Sequence, residues 1–403
     1  MNVPLLDVNA QNLPLEEELT AAFTRVLRSG IFIQGPEVEA LEKEMAAMVG
    51  APHALGVSSG TDALLLALMA LGIGPGDEVL VPSFTFFATA GCVSRTGATP
   101  VFVDSCPICF NLDVGKAARK ITPRTKAIIP VHLFGQCADL EAVMALAAAH
   151  GLRVIEDGAQ AVGAEFQGRG AGTIGDFGTF SFFPSKNLGG FGDGGLLVTG
   201  DQALADRARL LRTHGSRPKY FHSLVGGNFR LDPLQAALIR VKLSRYADYT
   251  AARQANAAAY SRQLSQLPGA VVADPLHCSC AGAQDQALAA AGAWLVLPAA
   301  YPDRKHIWNQ YTVRVLGPGR REALKARLNE RGIGCEIYYP RTMDQQECFQ
   351  STPEASRSDC EVARRLTTEV LSLPIYPELP RAHLDQVVEA IASFSASSPP
   401  PHS

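Results

Sequence analysis

Four short runs, DEVLVP (77–82), TPVFVD (99–104), KAIIPVH (126–132) and LRVIED (152–157), recur with a long intervening segment between each pair. They are mainly apolar rather than alternating, which is the pattern of strands covered on both faces. Parallel neighbours need a crossover of a dozen or more residues, usually a helix. The chain is therefore committed to a largely parallel sheet between helical layers, an α/β architecture. A further strand reads at ALGVS (54–58). Two more, FGTFSFF (177–183) and GGLLVT (194–199), have no helix between them, so the sheet is expected to be mixed.

Helical patterns occupy 15–29 and 36–49, closed by Gly30 and Gly50, and then 61–71 and 138–149. A long helical pattern runs from about Asp232 to Leu267. The composition then changes. Residues 275–300 are rich in Ala, Cys and Gly and read as a loop-like insertion within a second, smaller domain. That domain continues with strands at 309–315 and 334–339 and helices at 319–331, 357–372 and 383–394. The expected division is 1–245 and 246–403, with a disordered tail over 395–403.

At 403 residues the chain has room for two or three domains. Charged residues are 19%, below the usual quarter, which predicts extensive burial in cores or a subunit interface. A formal charge of −3 provides no basic field for nucleic acid or an anionic membrane surface. No apolar run reaches the roughly 20 residues of a spanning helix. The first residues are acidic, without the basic and apolar regions of a targeting leader. Nine cysteines, an odd number, suit a reducing compartment, so the expected location is the cytoplasm.

Three segments carry chemistry. In SSGTDALLLAL (58–68) a strand gives way to a small-residue turn and a helix start, where free amides bind phosphate and Gly60 permits close approach. The same letters also describe a helix capped by Ser59 or Thr61. In VIEDGAQAVG (154–163), Asp157 and Gln160 stand at a strand's carboxyl end, where open α/β sheets place ligands. Asp157 there can pair with a cationic nitrogen or cap the next helix. In FGTFSFFPSKNLGGFGDGG (177–195), Lys186 is alone in an apolar, glycine-rich stretch after Pro184. Desolvation there would favour its neutral, nucleophilic form. Period two turns Ser181 away from Phe180 and Phe182. A phosphate cradle, a strand-end acid and a desolvated lysine together meet the requirements of pyridoxal 5′-phosphate.

Two motifs are set aside. Gly190-x-Gly192-x-x-Gly195 spells a dinucleotide fingerprint but precedes a strand instead of a helix. Cys106 and Cys109 form a CxxC and Cys278 and Cys280 a CxC; they are expected to be free thiols and no metal is expected.

With these segments in place the chain resembles the DegT/DnrJ/EryC1/StrS family of sugar aminotransferases, within the aspartate aminotransferase fold, fold type I. The resemblance runs from about Gly30 to Phe394. GIFIQGPEVEALE, SSGTDAL, PSFTFFATA, TPRTKAIIPVHLFGQ, IEDGAQAVGA, FSFFPSKNLGGFGDGGLLVT, GGNFRLDPLQAALIRVKL and LSLPIYPEL carry it, in the family's order and spacing. It implies a three-layer α/β/α large domain with a mixed seven-stranded sheet and a smaller C-terminal α/β domain. It makes Lys186 the Schiff-base lysine and proton carrier, and Asp157 the partner of the pyridine nitrogen. Gln160 faces the ring oxygen and Phe86 stacks on the ring, with Phe87 as the neighbour easily confused with it. Gly60, Thr61 and Ser181 hold the phosphate. Asn228 reaches the phosphate from the other subunit of a homodimer, with Arg230 as its rival.

The resemblance also implies a ping-pong transfer through the pyridoxamine form. The amino group passes from L-glutamate or L-glutamine to a ketone at C3 or C4 of a nucleotide-linked sugar, for surface polysaccharide or natural-product glycosylation. A sugar dehydratase on the same fold would replace Lys186 with histidine. A non-catalytic regulatory relative would have lost Lys186, Asp157 or Gln160, and all three are present. Candidate substrate residues are Lys219, Tyr220 and His222, in a loop that is either a diphosphate-binding cluster or a solvated surface, and Tyr311 and Tyr338; Asn309 and Gln310, beside Tyr311, either line the site with it or merely start a strand. Asp344 stands where relatives often carry a histidine near the sugar.

Overall fold

The computed structural model describes residues 2–274, 287–288, 291–350 and 358–397. Seven strands form the main sheet: β1 His53–Val57, β2 Glu78–Pro82, β3 Thr99–Val103, β4 Thr125–Ile128, β5 Arg153–Asp157, β6 Phe177–Ser181 and β7 Gly195–Thr199. Their spatial order is β1-β7-β6-β5-β4-β2-β3. All neighbours from β6 through β3 run parallel, whereas β7 pairs antiparallel with both β6 and β1. The sheet is thus mixed and seven-stranded, as expected. The missing helix between 183 and 194 is what reverses β7.

The longer helices of this half are α1 Glu16–Ser29, α2 Pro36–Val49, α3 Gly60–Ala70, α4 Ala88–Arg95, α5 Leu140–His150, α6 Gln202–Arg212 and α7 Pro233–Leu243. They cover both faces of the sheet. On one face, Leu64, Leu66 and Leu68 of α3 pack with Val79, Val81 and Ile155. On the other, Val38, Leu41 and Met45 of α2 pack with Phe180, Phe182 and Leu196. Each such side chain contributes roughly 1.5–3 kcal/mol by leaving water.

A second sheet, in the order β8-β9-β10-β11, comprises β8 Ala270–Val272, β9 Leu295–Leu297, β10 Tyr311–Val315 and β11 Val370–Leu373. Helices α8 Tyr246–Leu264, α9 Arg320–Glu330, α10 Glu361–Glu369 and α11 Arg381–Ser397 belong to this half. Its core joins Tyr260, Trp294, Tyr311, Leu371 and Ile391. Val3 also belongs here: its N–H donates to the Gly332 carbonyl and its carbonyl accepts from the Gly334 N–H, both at 2.8 Å.

Four sequence expectations change. The helical pattern over 232–267 is two helices, broken at Ser244–Arg245, which lets Tyr246 turn inward and donate to the Val162 carbonyl at 2.7 Å. The run 334–339 is not a strand: Glu336 makes one bridge to Ser372, and the chain then leaves the sheet. The pattern over 357–372 ends as a helix at Glu369, because Val370, Leu371 and Leu373 are fully buried in β11. The stretch 275–300 is not loop throughout, since Leu295–Leu297 is an inner strand of the second sheet. Helices α4 and α6 were not anticipated. Cys278 and Cys280 lie outside the described residues, as does the tail beyond Ser397, and 395–397 are helical.

Candidate active site

A cavity of about 620 Å³ opens at the carboxyl ends of β5 and β6. Its wall includes Gly60, Thr61, Phe86, Asp157, Gln160, Ser181, Lys186 and Tyr338. Residues from several separated segments converge here, three of them because the parallel strands β2, β5 and β6 all end on the same side of the sheet.

At the start of α3, the Ser59 hydroxyl accepts from the Asp62 N–H at 3.0 Å and caps the helix. The amides of Gly60 and Thr61 lie in the first turn, where no carbonyl four residues back belongs to the helix. A Cβ on Gly60 would sit 2.8 Å from the Ser181 Cβ, so only glycine keeps this corner open. Ser181 ends β6 with its side chain on the cavity wall, while Phe180 and Phe182 are fully buried in the opposite core. The period-two expectation therefore describes this strand end.

Asp157 ends β5 and is 4% exposed. Its Oδ2 accepts from the Thr89 hydroxyl at 2.8 Å and its Oδ1 from the Ala159 N–H at 3.1 Å. Burial pushes its carboxyl up from the ordinary range; Thr89, Ala159 and the charge on Lys186 oppose that shift. The result is a carboxylate whose hydrogen bonds come from neutral donors, facing a cavity, and a cation placed there would favour its ionised form.

Lys186 sits in the turn after β6, with its N–H donating to the Phe183 carbonyl at 2.8 Å. The turn is tight enough that a Cβ on Gly189 would meet the Pro184 oxygen at 2.3 Å. Burial pulls the Lys186 ammonium down to about 8 from 10.5, against the attraction of Asp157. Asn187 fixes the turn from behind: its amide donates to the Ile307 carbonyl at 3.0 Å and its oxygen accepts from Asn309 at 2.9 Å. Gln160 is held from two sides. Its oxygen accepts from the Phe134 N–H at 2.7 Å, and its amide donates to the Tyr339 hydroxyl at 3.1 Å.

The two phenylalanines separate. Phe86 is on the cavity wall and 58% exposed. Phe87 stacks on Phe349 with ring centroids 5.8 Å apart. Other candidates lie elsewhere. Tyr311 is a correction: it is fully buried, bonds to the Ser261 hydroxyl at 2.9 Å and packs against Tyr260 in the second core. The start of β10 sends Asn309 and Gln310 to the cavity wall and turns Tyr311 the other way. Asp344 is also away from the cavity. It accepts from the Ser83 hydroxyl at 2.5 Å and pairs with Arg364 at 2.6 Å, anchoring its segment to the chain beyond β2.

Within one chain, Lys219, Tyr220, His222 and Asn228 are not on the cavity wall. Lys219, Tyr220 and His222 form an exposed loop, with Tyr220 78% exposed and the His222 Nδ1 2.9 Å from the His214 carbonyl. Asn228 is exposed, and Arg230 bridges Val57 through its backbone. Of the two alternatives for Asn309 and Gln310, the cavity wall is the one found; Thr85 and Thr89 are the residues that sequence reasoning missed. The four-residue spacing of the two threonines in SFTFFATA was the available signal. Cys106 and Cys109 are buried. Among the described residues no group of His, Cys, Asp and Glu is arranged to hold a metal ion.

A model of the DegT/DnrJ/EryC1/StrS aminotransferase family matches residues 14–392. A Geobacillus stearothermophilus protein named pleiotropic regulatory protein is 43% identical, over 98% of this chain and 99% of that protein. The UDP-N-acetyl-3-dehydro-alpha-D-glucosamine 3-aminotransferase of Acidithiobacillus ferrooxidans is 43% identical, over 96% of this chain and 97% of its own. The crystal structure of S. venezuelae DesV in complex with a ketimine intermediate is 42% identical and superposes with a TM-score of 0.88, covering 98% of both chains. Fold, strand-end site and sequence agree, and the chain belongs to the DegT/DnrJ/EryC1/StrS family of pyridoxal phosphate-dependent aminotransferases.

Proposed function

We propose that this enzyme moves an amino group from L-glutamate or L-glutamine to the C3 ketone of a nucleotide-linked sugar, in two half-reactions at one site. The observation that carries the reading is Asp157 and Lys186 on the wall of one cavity with an open helix start beside them. The A. ferrooxidans relative, named for amination at C3 of a UDP-sugar, supports C3 over C4.

The residues present fit pyridoxal phosphate. The corner that a Cβ on Gly60 would fill offers the first-turn amides of α3 and the Ser181 hydroxyl to a phosphate. The buried Asp157 carboxylate suits a protonated ring nitrogen, and Phe86 offers a flat apolar flank to the ring. When bound, the cofactor supplies an electron sink that stabilises negative charge on the substrate carbon.

The chain supplies the rest. Lys186, its amine drawn down to about 8, would hold the cofactor through its aldehyde and would be the group placed to carry a proton to and from the substrate carbon. Asp157 would pair with the ring nitrogen and favour its protonated form. Gln160, held by Phe134 and Tyr339, presents a fixed amide to the ring oxygen. Tyr338, half-buried on the wall, borders the acceptor sugar.

The same reading makes the enzyme a homodimer. Phe23, Leu27, Ile31, Phe32 and Ile33 are all more than 40% exposed along α1 and the segment after it, an apolar stretch suited to a second copy. The partner would bring Asn228 to the phosphate and Lys219, Tyr220 and His222 to the nucleotide diphosphate. Among the described residues no helix is long and apolar enough to cross a membrane, and the proposed setting is the cytoplasm, in amino-sugar synthesis for polysaccharide or natural-product glycosylation.

The test is transfer of ¹⁵N from labelled glutamate or glutamine to a UDP- or dTDP-linked 3-keto sugar, read by mass spectrometry. Label in the sugar with release of the matching keto acid is the expected result. Label that enters only other ketones would overturn the nucleotide-sugar reading.

A further inference from the structure

Behind Asp157 lies a chain of buried hydroxyls. The Thr89 hydroxyl is 2.8 Å from Asp157 Oδ2 and 3.0 Å from the Thr85 hydroxyl, and both threonines are no more than 1% exposed. Thr85 is itself on the cavity wall. A carboxylate can only accept, and a hydroxyl has one proton to give. Thr89 must therefore spend its proton on Asp157, and Thr85 must give its own to Thr89. The direction of both bonds is thus set by the charge on Asp157.

We propose that Thr85 and Thr89 form a directed hydroxyl relay that positions Asp157 and keeps it ionised, making Thr89 a positioning residue for the reaction and Thr85 its support. The inference rests on the reading of Asp157 as the partner of the cofactor nitrogen. Within the relay, Oδ2 is drawn toward α4 while Oδ1 is held by the Ala159 N–H, so the carboxylate plane is fixed before any ligand arrives. Hydrogen bonds to the charged form favour it, and burial opposes it. Thr89 is first among the groups that counter the burial of Asp157.

Other charges face Asp157 as well. Lys186 comes from the turn after β6, and His132 follows β4; both favour the carboxylate. Cys92 of α4 and Tyr339 also feel its charge, and both titrate well above neutrality. Loss of the Thr89 bond should therefore raise the proton affinity of Asp157 without changing these neighbours. The ionised form would be lost at a higher pH than in the wild type.

The experiment titrates pyridoxal 5′-phosphate into the full-length cofactor-free protein. It then follows the absorbance of the loaded protein, and kcat, against pH. For Thr89→Val the expected result is roughly tenfold weaker cofactor binding and an acid limb moved up by about one pH unit. The KM for the amino donor should stay unchanged while kcat falls. Thr89→Ser, which keeps the hydroxyl, should restore both within about twofold. Thr85→Val should cause a smaller shift of the same sign, and none when added to Thr89→Val, because a relay is non-additive.

A Thr89→Val protein that binds cofactor and titrates like the wild type overturns the relay alone. So does a Thr85→Val effect of undiminished size in the Thr89→Val background, which would place Thr85 directly on the ligand. Wild-type protein that takes up no pyridoxal phosphate overturns the parent reading of Asp157 and the relay with it.

Discussion

Lys186 and Lys242 are shifted the same way by burial and differ in their surroundings. Burial draws each amine down to about 8 from 10.5. Lys186 lines a cavity that also holds Asp157 and a helix start. Lys242, in α7, is 1% exposed, 5.7 Å from the centre of the Phe191 ring, and subject only to the opposing charge of Glu378. A lowered lysine pKa is thus a report on burial. Reactivity needs space for a reactant and an acid to hold it, and Lys186 has both.

The largest expected effect is at Lys186. Lys186→Ala should lower transamination on the order of a thousandfold or more, measured as keto acid formed from glutamate. Lys242→Met should leave kcat within about twofold and act on stability instead. For Lys242 the folded pKa of about 8 lies below the ordinary 10.5, so the unfolded chain binds more protons between those values. Lys186 and Lys242 should each add about 3 kcal/mol to a rise in stability across that window, and Lys242→Met should lose its own share in urea unfolding while keeping that of Lys186. A variant that loses activity and keeps the full rise would erase the distinction.

Asp344 extends the contrast to carboxylates. Asp157 has its pKa raised by burial, and Asp344 has its pKa lowered: burial opposes the shift, while hydrogen bonds led by Ser83, with Arg364 among them, outweigh it. Its stabilisation is present above the ordinary 3.8 and fades as pH falls through the folded value. Asp344→Asn should cost roughly 1–3 kcal/mol near neutrality and lose that acid dependence, with sugar KM unchanged. The smallest effect is at Tyr311: Tyr311→Phe should cost about 1 kcal/mol by removing the Ser261 bond, without a kinetic change. Tyr338→Phe should do the reverse, changing acceptor KM at constant stability.

What was legible in the sequence follows the same division. Along β5 and β6 a strict period of two and the strand-end rule decide where side chains point, and Asp157, Ser181 and the turn bearing Lys186 were placed without coordinates. In 334–344 and at the entry to β10 the backbone is irregular, so spacing carried no direction. Spacing therefore does not separate Tyr311, in the second core, from Asn309 on the cavity wall, and the resemblance alone gives Asp344 its place beside the sugar, where the fold gives it Ser83 and Arg364 instead. Phe86 and Phe87 were indistinguishable as letters, since only the packing of Phe87 on Phe349 separates them. The relay threonines escaped notice because their partner lies 68 residues away from Thr89 in the chain.

The central claim is that Lys186, rather than any other buried amine, holds the cofactor. It is tested by loading the protein with pyridoxal phosphate, reducing it with borohydride and mapping the modified peptide. The account predicts the cofactor mass on Lys186, and a violet absorption band that falls when L-glutamate or L-glutamine is added before reduction. Modification at Lys242, or at no lysine in a protein that still transaminates, would contradict it.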